Sequence, residues 1–267
     1  MLRRFLIVIG LTGLVAPPAQ PQAMNFTATM DTIRITARPE QTVQRVFRLT
    51  LAKDYKPTQF RSVVEDWWKS EDGRQSHYVA SGTLARSCGP WVTLNPAEKK
   101  ILPGETLEVR ITVAIPERAS PGGYWCALTV NQVPDPLEVV PEGVRINFLA
   151  SVSVSILVLL EPVERMAKVV KVEILPGEAQ VTLSNEGNAP LGVQGRFEFV
   201  PDDAARKPVT VLIPRHSLLT EPVRTARISA ALPPASELPS GMYMVRAILD
   251  IGLEHMIGVQ RRMEVRR

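Results

Sequence analysis

The sequence lacks most of what an enzyme site is built from. It has three histidines, His77, His216 and His255, which lie far apart and match no metal-ligand spacing such as His-Glu-x-x-His, so each reads as a solvated surface or turn residue. Past the N-terminal segment there is no Gly-x-Ser-x-Gly elbow, no phosphate-binding loop and no dinucleotide fingerprint. Carboxylates are plentiful, but none pair up as a glycosidase couple would require. These absences exclude the common routes to catalysis; the expectation is a non-catalytic protein with no cofactor and no metal.

Charge of one sign is scarce as well. Lysine and arginine number 31 against 27 acidic residues, and losing Arg3 and Arg4 with an N-terminal signal leaves 29 against 27, or +2. That balance gives no reason to expect nucleic acid as a partner. Long apolar runs are limited to one, Phe5 to Val15. It follows Met1-Leu2-Arg3-Arg4 and precedes the Ala/Pro/Gln stretch Ala16 to Ala23. The three parts are those of a secretory signal peptide over residues 1–23, cleaved near Ala19 or Ala23, and the apolar part is too short to span a bilayer comfortably. No membrane span is expected in the mature chain, which should be periplasmic or secreted.

Only two cysteines occur, Cys88 and Cys126. In an oxidising compartment a single pair reads as a disulfide; the alternative is two buried free thiols on neighbouring strands.

Proline, by contrast, is abundant, with 23 residues against 16 glycines, in a chain that is 45% apolar and 22% charged. That is a globular composition with many strand ends. The stretch Trp91 to Val130 shows how they are used. Leu107, Val109, Ile111 and Val113 alternate with Thr106, Glu108, Arg110 and Thr112, the period of a half-buried strand. Leu102-Pro103-Gly104 opens that strand and Ile115-Pro116 closes it, because proline removes a ladder donor and glycine admits a left-handed turn. Pro121-Gly122-Gly123 then launches Tyr124 to Val130.

Further strands are expected between Asn25 and Pro39, one or two of them, with Ile33 and Ile35 alternating against Arg34 and Thr36, and then at Val43 to Leu51 and Gln59 to Trp68. Adjacent strand residues point to opposite faces, so Trp67 and Trp68 cannot share one core. One of them is expected at a surface or crevice, either contacting a glycan or partner or lying under a loop. Val144 to Leu160 is the longest strand-like run, apolar at every even position, and would reach roughly 55 Å if unbroken. Its even face either closes the core of the first domain or meets a partner. After Pro162 the frame repeats: Ile213-Pro214, an alternating strand near Val223 to Leu232, Leu232-Pro233, then Leu238-Pro239-Ser240-Gly241-Met242-Tyr243. Asn185-Glu186-Gly187-Asn188 marks a turn within this second copy. The fold class expected is all-β, two immunoglobulin-like β-sandwich domains in tandem after the signal peptide, over residues 24–162 and 163–267.

The order SVVEDWW, WVTLNP, LPGE, EVRITVAIP, SPGGYWCALTV, a long apolar strand and then NEGN resembles the bacterial two-domain immunoglobulin-like envelope proteins. Among these are the periplasmic pilus chaperones and, in local wording, the WxL-interacting cell-surface proteins. The first resemblance implies a chaperone or assembly factor that binds an envelope or pilus-like subunit by β-strand addition, with Ile146, Phe148, Val152, Val154 and Ile156 facing the partner strand. It also implies a basic cleft for the carboxylate at the end of the subunit. Arg34 or Arg38 would supply one cation, but no lysine or arginine lies between Asn147 and Pro162 to supply the other. The second resemblance implies a cell-wall scaffold that binds peptidoglycan, with Trp67, Trp68 and Trp125 as an aromatic surface.

Overall fold

Residues 26–28, 32–78, 80–134, 149–203 and 205–266 are described by the structure, a computed structural model. Residues 1–23, read from the sequence as a signal peptide, and Ile146 and Phe148 lie outside the described residues.

Ten strands form the first sandwich: β1 (Phe26–Ala28), β2 (Thr32–Ala37), β3 (Thr42–Leu51), β4 (Thr58–Lys69), β5 (Gln75–Tyr78), β6 (Val92–Asn95), β7 (Glu98–Ile101), β8 (Thr106–Ala114), β9 (Gly122–Gln132) and β10 (Ser151–Leu160). Seven form the second: β11 (Ala167–Leu175), β12 (Glu178–Asn185), β13 (Leu191–Pro201), β14 (Val209–Leu218), β15 (Thr225–Ala231), β16 (Gly241–Asp250) and β17 (Ile257–Val265). The fold is all-β, two immunoglobulin-like sandwiches in tandem.

The pattern on β8 is realised as read. Leu107, Val109, Ile111 and Val113 are buried while Thr106, Glu108 and Arg110 face solvent, and Gly104 takes a φ of 82° in the turn before the strand. The stretch after Trp91 divides into two short strands, because Pro96 interrupts it: β6 pairs with β8 in one sheet and β7 pairs with β4 in the other.

One sheet of the first sandwich has the order β1-β3-β8-β6; the facing sheet runs β2-β10-β9-β4-β5, with β7 beside β4. Phe47, Leu49, Leu107 and Val109 of the first pack on Ile33, Leu128, Ile156 and Val158 of the second. Burying each such side chain contributes about 1.5–3 kcal/mol. The second sandwich stacks β11-β12-β15 on β14-β13-β16-β17 around Leu183, Ile228, Phe197 and Val245.

The repeated frame extends to single hydrogen bonds. Tyr124 donates its hydroxyl to the Ser120 carbonyl at 3.0 Å, and Tyr243 does the same to Pro239 at 2.8 Å, each four residues back at the entrance of its strand. The corner thereby ties the loop to the strand it feeds.

Among the described residues, three hydrogen bonds donated by backbone amides join the sandwiches. The Gly123 amide donates to Asn188 O at 2.8 Å, the Arg86 amide to Glu221 Oε1 at 2.5 Å, and the Arg227 amide to Glu71 O at 2.7 Å. Asn188 also holds the connection between the domains, accepting from the Glu164 amide on Oδ1 at 2.8 Å and donating from Nδ2 to Pro162 O at 3.2 Å.

Candidate functional site

The face of the six-stranded sheet turned away from the first core carries a second apolar cluster. Register sets Leu157 of β10 beside Trp125 of β9 on one side and Arg34 of β2 on the other. Trp67 joins them from β4, and Leu84, Ala127 and Leu219 complete the cluster. Leu219 belongs to the second sandwich, so the interface between domains is what covers this face.

Trp67 and Trp125, read as candidates for an aromatic surface, are therefore buried, at 7% and 1% exposure. Each indole also spends its only donor internally: Trp67 Nε1 on Cys126 O at 3.2 Å, Trp125 Nε1 on Trp67 O at 2.8 Å. Trp68 is half-buried and stacks on Tyr78 with ring centroids 6.3 Å apart. A sugar-stacking platform built from the three tryptophans is not present.

The loop that carries Leu84 is held by a residue that the sequence reading passed over. Asp66, fully buried on β4, accepts from the Leu84 amide at 2.8 Å and from Ser87 Oγ at 2.5 Å. Ser87 Oγ accepts in turn from the amides of Gly82 and Gly89 at 3.1 and 2.9 Å. A buried carboxylate is costly unless hydrogen-bonded, so this network compensates for its own burial while shaping the loop. The one available signal was an acid directly before the tryptophan pair. Next in the chain, Cys88 is disulfide-bonded to Cys126 with Cα atoms 5.4 Å apart, pinning the loop to β9.

Between the sandwiches lies a cleft of about 430 Å³, with Trp67, Trp125, Leu157 and Leu219 in its lining. Arg34 enters it from β2 and Arg215 from β14. Arg38, the other candidate cation, sits at the turn after β2, where its amide donates to Gln41 Oε1, and does not line the cleft. The pairing of β13 with β14 shifts register between Val193 and Gly195, at the bulge that carries Pro214 and Arg215. The Arg215 guanidinium lies over Gly192, its Nε and Nη2 atoms 3.4 Å from where a Cβ would stand. Arg34 and Arg215 are both exposed and, among the described residues, neither has an ion-pair or hydrogen-bond partner for its side chain; no aspartate or glutamate lines the cleft.

Beside the cleft, β10 is half covered. Ser155 to Leu160 pairs in parallel with β2, whereas Ser151 to Val154 pairs, among the described residues, with β9 alone. Val154 and Ile156, expected to face a partner strand, instead point into the first core at 1% and 0% exposure, because the even face of β10 packs on the opposing sheet. Val152 is half-buried against the same core. What β10 offers outward is main-chain edge rather than a row of apolar side chains.

Perturbed titrations fall outside the cleft lining. Hydrogen bonds from Arg61 and then Gln59 hold Glu98 below the usual carboxylate range, and partial burial lowers Lys69. Among the described residues no group of histidine, cysteine and carboxylate side chains is placed to hold a metal, and no helix is long and apolar enough to cross a membrane.

No protein-family model and no curated protein sequence matches the chain. Solved structures do. A chain from a chaperone–tip adhesin complex of CFA/I fimbriae biogenesis superposes with a TM-score of 0.52 at 11% identity, over 89% of this chain and 98% of that one. The class 5 fimbriae chaperone CfaA gives 0.50 at 10% identity, over 89% and 99%. At such identities the likeness is one of fold: two sandwiches in tandem, matched along nearly the whole of each relative.

Proposed function

We propose that the protein is a non-catalytic periplasmic chaperone or assembly factor that binds subunits of a surface fibre by β-strand addition. The observation that carries this reading is the edge of β10 from Ser151 to Val154, which among the described residues pairs with β9 alone, beside a cleft whose two arginines have, among the described residues, no partner for their side chains. An open edge presents main-chain donors and acceptors in register for an incoming strand, and main-chain hydrogen bonds supply the affinity. The likeness of fold to chains named as fimbrial chaperones supports the same reading; the resemblance of the sequence offers Arg34 or Arg38 for the carboxylate at the end of the bound segment, and of the two Arg34 lines the cleft.

The test is co-purification of the tagged mature chain with a co-expressed pilin-like subunit. Val152→Asp, which places a charge at the half-buried start of the edge, should lose the subunit while the protein stays folded. Val259→Asp, on the edge strand β17 of the second sandwich, should keep it. A complex indifferent to Val152→Asp, or no complex with any subunit, overturns the proposal.

A further inference from the structure

The resemblance would put the second cation of the anchoring cleft on β10. This chain has Ser155, Ile156 and Leu157 in the cleft lining at that strand, and no basic residue along it. The cleft nevertheless holds two arginines, and they come from different domains. Arg34 is on the strand that pairs with β10, and Arg215 is on β14 of the second sandwich.

We infer that Arg215 supplies the second cation, so that a bound carboxylate is held between the two sandwiches and ties them together. This rests on the strand-addition reading and extends it: the second domain becomes part of the binding site.

Three features of the chain support it. The bulge at Pro214-Arg215 breaks the regular alternation of β14 where that strand reaches the cleft, and such irregularities re-aim a side chain. The Arg215 guanidinium lies over Gly192, across from the bulge, about a van der Waals contact from where a Cβ would stand. Two arginines sharing a cleft without any acid in its lining repel one another and leave their donors to water. An anion between them removes the repulsion and accepts charge-assisted hydrogen bonds, for which the planar guanidinium is suited.

The experiment uses the mature full chain and one synthetic peptide of alternating apolar and polar residues, prepared with a free C-terminal carboxylate and as the C-terminal amide. Isothermal titration should show the wild type binding the acid at least about tenfold tighter than the amide, the value of one good charge-assisted hydrogen bond. Arg215→Gln and Arg34→Gln should each bring that ratio close to unity without weakening the amide form, and Arg215→Lys should restore part of it. On binding of the acid, hydrogen exchange of the β14 amides should slow in the wild type and not in Arg215→Gln, a coupling that a purely structural role for Arg215 would not produce.

A wild type that binds acid and amide equally removes the anion site and leaves strand addition standing. A preference that survives Arg215→Gln but not Arg34→Gln overturns the role of Arg215. Failure to bind either peptide sinks the strand-addition reading, and the inference falls with it.

Discussion

Trp125 donates its indole N–H to the main-chain oxygen of Trp67 across the width of one strand pair, at 2.8 Å, while Trp67 returns a bond to the residue after Trp125. The pair lies between the two sandwiches, under Leu84 and Leu219, and couples the packing of the domains to the ladder of β4 and β9. Trp67→Ala should cost about 3–5 kcal/mol, the range for deleting a buried aromatic. Trp125→Phe keeps most of the volume and loses one donor, for about 1 kcal/mol. Denaturant unfolding of the two variants checks the order; equal losses would mean that packing is irrelevant at one of the positions.

Asp66→Ala removes the acceptor for the Leu84 amide and the Ser87 hydroxyl together. Each orphaned buried group costs about 1–3 kcal/mol, and the loop should open before the sandwich does. Faster exchange of the Leu84 amide, at unchanged exchange in β8, is the expected result.

The Cys88–Cys126 bond closes a loop of 38 residues, for which the chain-entropy relation gives about 4 kcal/mol. Intact mass of unreduced, alkylated protein should show no modified thiol. Two alkylated cysteines would refute the pairing, and Cys88→Ser with Cys126→Ser should lower the denaturation midpoint by an amount consistent with that figure.

Gly123 and Met242 occupy equivalent places in the two copies of the frame, one residue before the corner tyrosine. A Cβ on Gly123 would come within 2.5 Å of Pro190 and 2.9 Å of Ala189, so the first copy needs glycine where the second sandwich docks, while Met242 is 40% exposed and meets no domain. Gly123→Ala should loosen the junction, seen in calorimetry as two separated transitions in place of one, whereas Met242→Ala should leave the profile unchanged.

The pH dependence has a definite sign at Glu98. Its folded pKa is depressed, by Arg61 first and Gln59 second, so the stabilising contribution is present above the ordinary carboxylate range of about 4 and is lost as pH falls through the depressed value. Arg61→Ala should move the Glu98 titration, followed by carboxyl NMR shifts, back up toward its ordinary range. Glu98 is exposed, so added salt should weaken the effect.

Residue order by itself determined the strands, the sandwich class, the repeat and the pairing of the only two cysteines as the first choice. Alternation on β8 and β10 and the proline and glycine stops between strands are local properties, written in consecutive residues. Local pattern read Trp67 and Trp68 as belonging to opposite faces, whereas in the structure Trp67 is buried in the cluster between the sandwiches and the half-buried Trp68 packs against that same cluster. Whether Trp67 would be bare or covered depended on Leu219, which arrives from another domain, and the same is true of Trp125. Val154 and Ile156 illustrate the converse: their apolar alternation suits a partner groove and the home core equally, and only the packing of the opposing sheet on that face of β10 decided for the core. The turn at Asn185 to Asn188 was legible as a turn, but not as the clasp between domains. Arg215 gave no signal in the sequence, because the convergence of two cations on one cleft is a long-range relation set by how the sandwiches dock, and docking depends on surfaces that no short run of residues describes.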